Sequence, residues 1–204
     1  MLVACAGAAA PQLFEAQPSS YLLTIDELQN AEFQIIEGPG AIDAAAVGGD
    51  PATGARLAGF GLEAAADVRF FRDVSDVATS NGPLDVTASV ARYRDANGAT
   101  EAFALGIRQT EGHAGEQPVS TGPLGDAAHA DQVSAKDASG TILMQFTVTW
   151  RLGNLVNVVI IRGRYGGARI TDALTLADAQ VNNELGEVTF APTPSPTPSP
   201  TATR

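Results

Sequence analysis

The chain has 204 residues, 45% of them apolar and 17% charged, with a formal net charge of −11. One Cys (Cys5) excludes a disulfide framework or a Cys-rich metal site. Eleven Arg and one Lys against 23 acids argue against a phosphate-tracking nucleic-acid binder, and no apolar run approaches the roughly 18 residues of a membrane-spanning helix.

The first residues are Met1-Leu2-Val3-Ala4-Cys5-Ala6-Gly7, followed by a small-residue stretch with Pro11. Leu2, Val3, Ala4 and Cys5 resemble the lipobox of bacterial lipoproteins. In that family the Cys thiol receives a diacylglycerol and becomes the mature N-terminus. The resemblance implies an extracytoplasmic protein anchored to the membrane through Cys5. A box of this kind needs a basic segment and then an apolar stretch of about 7–15 residues, which would lie upstream of Met1. Residues 1–20 then read as a tether and residues 21–190 as one globular domain. At the other end, Pro alternates with Thr and Ser from Pro192 to Thr201. That composition favours polyproline II, builds no core and suits a glycosylated stalk. Residues 191–204 are therefore expected to be a disordered tail.

Within the middle, Thr24-Ile25-Asp26-Glu27 matches a capping box and predicts a short helix to about Asn30. Phe33, Ile35 and Ile36 suggest a strand that stops at Gly38-Pro39-Gly40, before a Gly/Ala-rich loop. Asp50-Pro51 reads as an N-cap with Pro at the first helical position, opening a short helix to Gly59. Leu62 to Phe71 mixes signals and leans to strand in its second half. Asp85 to Arg94 alternates, with Val86, Ala88 and Val90 on one face. Asn97-Gly98 reads as a break, after which Thr100 is expected to cap a helix through Gln109.

The clearest element is Thr141 to Arg164. Met144, Phe146, Val148 and Trp150 alternate with Gln145, Thr147, Thr149 and Arg151, the period-two pattern of a half-buried strand. Gly153-Asn154 turns the chain, and Leu155 to Ile161 returns as an apolar strand, the kind that lies centrally in a sheet with both faces covered. So short a turn makes the pair an antiparallel hairpin. A closing helix over Thr171–Leu185 places Ile170, Leu174, Ala177, Val181 and Leu185 on one stripe, leaves Glu184 off it, and stops at Gly186. The expected class is α+β, an antiparallel sheet with helices packed on it. Pro123-Leu124-Gly125-Asp126-Ala127, Trp150-Arg151-Leu152-Gly153-Asn154 and the closing helix resemble the layout of the Mog1/PsbP-like group, and of small lipoproteins and sensor-type ectodomains. The resemblance implies a layered fold and an envelope location, and transfers no catalytic residue.

Candidate chemistry is sparse. His129 and Asp131 share strand parity and are candidate metal ligands, though a catalytic zinc site needs about three protein ligands. His113 lies in a polar loop, Glu111–Glu116. There is no G-x-S-x-G elbow and no Gly-rich phosphate loop followed by Lys. Arg162, Arg164 and Arg169 cluster beside Tyr165, and guanidinium forks suit anions; pairing with nearby acids is the alternative. The reading is a non-catalytic, lipid-anchored binding or interaction module with no cofactor, meeting the membrane through Cys5 and an envelope protein or small molecule elsewhere. A carrier of a small, mostly apolar or anionic ligand is the second reading, and a hydrolase or metal enzyme using His129 the third.

Overall fold

In the computed structural model, residues 12–28, 30, 32–111 and 115–189 are described. Cys5, His113 and the Pro/Thr/Ser tail lie outside them. The strands are β1 (Gln34–Ala41), β2 (Leu62–Phe71), β3 (Asp85–Tyr93), β4 (Gln117–Val119), β5 (Ala127–Lys136), β6 (Ile142–Leu152) and β7 (Leu155–Arg164). The helices are α1 (Ala44–Gly48), α2 (Pro51–Gly59), α3 (Ala96–Thr110) and α4 (Ile170–Thr189). The strands form one antiparallel sheet in the order β1-β2-β3-β7-β6-β5-β4. The α+β class is as expected, and the apolar strand β7 lies at the centre of the sheet.

One face of the sheet is the core. Val86, Ala88 and Val90 of β3, Val159 and Ile161 of β7, and Val148 and Trp150 of β6 are each at most 1% exposed. Full burial of the valine and isoleucine side chains among them contributes about 1.5–3 kcal/mol apiece. Helix α4 covers β6 and β7 on this side. Its buried face differs from the expected stripe. Ala173, Leu176, Ala177, Gln180 and Glu184 are buried, whereas Leu185 is exposed and Ile170, Leu174 and Val181 are half-buried. The helix is rotated so that small residues let it approach the sheet, and Glu184 goes in with them. It also runs past Gly186, because a glycine ends a helix only where the chain turns away after it.

The packed body takes in residues ahead of Tyr21. Phe14 is buried and meets the Tyr21 ring edge-on at 5.8 Å, and Leu22 and Leu23 are buried behind them. The expected helix after Thr24 is a single 3-10 turn, Ile25–Glu27, in which the Glu27 carboxylate accepts from the Thr24 backbone N–H at 2.6 Å.

Three further expectations change. Strand β1 continues through Gly38-Pro39-Gly40 by two register shifts; Pro is tolerated there because β1 is an edge strand. Gly38 has φ +72°, and a side chain on it would run into the Asp67 carbonyl of β2. The Gly/Ala-rich stretch forms α1, capped by the Asp43 carboxylate on the Ala46 N–H. Asn97-Gly98 sits inside the first turn of α3, since Asp95 supplies the cap by accepting from both of their N–H groups at 2.9 Å. Helix α2 starts as expected, with Asp50 accepting from Ala52 and Thr53. Strand β2 spans the whole of Leu62–Phe71.

Candidate functional site: the open face of the sheet

Because side chains alternate, the face opposite the core is fixed by register. Two rows cross it. Asp131, Thr147, Ile160, Thr87 and Arg69 are successive cross-strand partners, and so are His129, Thr149, Val158, Ser89 and Asp67. The apolar central strand thus carries hydroxyl-bearing neighbours on both sides. Helices α1, α2 and α3 cover only one end of this face, through a small second core of Leu57, Ala65, Ala91, Tyr93, Ala99, Ala102 and Leu105. Val158 and Ile160 remain half-buried, which corrects the expectation that β7 is covered on both faces.

Between the helices and the sheet lies a cleft of about 390 Å³. Its walls are Val47 and Leu57 on one side, Ala102, Phe103 and Gln109 on another, and Val158, Ile160, Ser89, Thr147 and Thr149 on the floor. The charged group in its lining is Asp67, whose carboxyl is held above the usual range by burial and by the nearby Glu37. Burial pushes the Tyr93 phenol up as well, so it stays a neutral hydroxyl. The floor ends at a half-buried ion pair, Arg69 on Asp85, whose guanidinium donates through Nε and Nη2.

The three arginines do not converge on the cleft. Arg162 donates to the Gln145 side chain at 2.7 Å, and Arg164 donates to the Ser80 carbonyl at 3.0 Å and the Tyr165 carbonyl at 3.1 Å. Arg169 lies exposed at the start of α4, its backbone N–H on Asp172. The partners seen for Arg162 and Arg164 are carbonyls and amides.

His129 and Asp131 do come together, and the structure adds Glu116. One ligand atom from each of the three lies within 4.8 Å of the others. Asp131 is 5% exposed, not part of a solvated edge, because β4 pairs along β5 and covers it. Its carboxyl is raised by burial first and by Glu116 next. Glu116 escaped sequence reading because it directly precedes a three-residue strand with no periodic signal of its own.

A smaller hollow of about 200 Å³ opens beside the first turn of α4. Arg72 lines it, stacked on Phe33 at 5.9 Å and 3.6 Å from the Glu32 carboxylate.

The fold defined here is a seven-stranded antiparallel sheet with one long helix on its packed face and three shorter ones at one end of the other. The chain matches no protein-family model and no curated protein. Among solved structures it is similar to the extracellular domain of PknH from Mycobacterium tuberculosis, with a TM-score of 0.50 and 15% identity, over 83% of this chain and 95% of that one. The likeness is one of fold. Among the described residues no helix is long and apolar enough to cross a membrane.

Proposed function

We propose that the chain is an extracytoplasmic, non-catalytic recognition module that holds a small molecule in the cleft between α2, α3 and the open sheet face. The observation that carries this reading is the cleft itself. Its volume of about 390 Å³ falls within the ~300–1,000 Å³ of ligand pockets, and its lining has their character, mostly apolar with a few polar groups to orient the ligand. With Asp67 as the charged lining group, the ligand is a mostly apolar molecule that is neutral or cationic. An anionic ligand would depend on Arg162, Arg164 and Arg169, which lie outside this lining.

The likeness to an extracellular domain supports the location. Membrane attachment through a lipid on Cys5, and kinship with the Mog1/PsbP-like group, belong to the same proposal; the first rests on the lipobox resemblance and the second on the layered fold. Two experiments test it separately. Titration of the protein with the neutral apolar fluorophore Nile red is expected to give saturable binding; no saturation overturns the cleft reading. Mass spectrometry of protein from the membrane fraction is expected to find diacylglycerol on Cys5; an unmodified Met1 terminus overturns the anchoring.

A further inference from the structure

We infer that Glu116, His129 and Asp131 form a binding site for a divalent transition-metal ion of the zinc class. The site is independent of the cleft, one strand away from Thr147 and Thr149. Its geometry comes from the sheet. His129 and Asp131 alternate on β5, whose ladder with β6 is continuous from Ala127 to Lys136, so their spacing is set by the backbone. Glu116 stands next to β4, which pairs Pro118 with Asp131, and so approaches the same face from the other side.

Ligand atoms around a tetrahedral zinc with bonds of about 2.1 Å lie about 3.4 Å apart. The three groups here lie within 4.8 Å of one another, so small side-chain rotations close the shell. Without a cation this arrangement is costly. The Asp131 side chain is nearly all removed from water, and the Glu116 Oε2 is buried with no hydrogen-bond partner. Two neighbouring carboxylates, Asp131 buried and Glu116 half-buried, repel each other, and a buried carboxylate oxygen is normally paired. A divalent cation satisfies both carboxylates at once. The imidazole selects for zinc-class ions over calcium and magnesium, which prefer all-oxygen shells. Three protein ligands leave a fourth position open to water or to a ligand donor atom. Thr147, the cross-strand neighbour of Asp131 on β6, stands where an outer partner of that carboxylate would.

The test uses the full chain with Cys5→Ser, so that the thiol cannot compete, stripped with chelator and titrated calorimetrically with Zn²⁺. Saturation at one ion per chain is expected, surviving excess Mg²⁺. Loss of an outer-shell partner alone weakens metal sites by about 10–100-fold, so His129→Ala and Glu116→Gln are each expected to weaken binding by at least about tenfold. His113→Ala is expected to leave it unchanged. Cobalt(II) provides a second readout, its visible bands shifting when His129→Ala removes the nitrogen donor. Absence of saturable binding, binding indifferent to His129→Ala, or binding that depends on His113 overturns the site. Asp131→Asn is the riskier variant for folding, and the test does not rely on it.

Discussion

Asn154, in the β6–β7 turn, holds Phe14 by its backbone across 140 positions of sequence. The Asn154 Oδ1 accepts from the Phe14 N–H at 2.7 Å, and its Nδ2 donates to the Phe14 carbonyl at 3.1 Å and the Tyr93 carbonyl at 2.8 Å. Asn154 is 3% exposed, so all three bonds are made away from water. One amide thereby joins the N-terminal segment, β3 and the central hairpin.

Truncating that amide leaves one buried N–H and two buried carbonyls without partners, at about 1–3 kcal/mol for each such group before relaxation. Asn154→Ala is therefore expected to destabilise the fold by about 3 kcal/mol, read as a lower urea midpoint at unchanged slope. A loss below about 0.5 kcal/mol, the scale of an ordinary surface substitution, would show that the amide is not a fastening point.

Glu184 gives stability an unusual pH dependence. It is fully buried on α4, facing the Trp150 indole and the Gln180 amide, neither closing a hydrogen bond of normal geometry. Burial pushes its carboxyl up to about 8 from an ordinary 4.5. The native state thus retains a proton that the unfolded chain releases above its ordinary range. Stability consequently falls as pH rises from about 4.5 to about 8 and levels off beyond. Asp131 and Asp67, also raised, act in the same direction. Glu184→Gln is expected to remove much of that slope and to stabilise the protein at pH 8 by a few kcal/mol, since each tenfold change in proton affinity is worth about 1.4 kcal/mol. Urea unfolding at pH 5 and pH 8 checks this; identical pH dependence in the variant would contradict it.

At Gly98 two effects oppose each other. Alanine in a helix is favoured over glycine by about 1 kcal/mol. A methyl here would, however, overlap the Phe60 carbonyl oxygen at the end of α2, with Tyr93 behind it at 3.6 Å. Backbone cannot yield as a flexible side chain does, and overpacking costs about 1–3 kcal/mol. Gly98→Ala is accordingly expected to lower the melting temperature, whereas Gly106→Ala, on the same helix with open space around it, should raise or preserve it.

Val158 lies half-buried on the floor of the cleft. Val158→Trp adds bulk to space that is already present, so the fold should survive with near-normal circular dichroism. Nile red affinity should fall about tenfold or more, since about 1.4 kcal/mol of lost contact is enough for that. Undiminished binding by a folded Val158→Trp protein would place the dye elsewhere.

The two-residue periodicity of β6, the short turn and the apolar run of β7 were sufficient for the hairpin and its central place, because strand alternation is a local property of the chain. Asp50-Pro51 was likewise legible, since a cap is satisfied within four residues. Other features depended on partners far away in sequence. Strand β1 crosses Gly38-Pro39-Gly40 only because β2 accommodates its bulges. Helix α4 turns Glu184 inward, on the same buried face as Ala173 and Ala177. Glu116 joins His129 and Asp131 only through the pairing of β4 with β5. From the chain alone came the α+β class, the central hairpin and the parity that puts His129 and Asp131 on one face. Tertiary structure alone decided which face stays open, that a cleft forms there, and that a third ligand reaches the pair, because long-range register and helix docking carry no local signature.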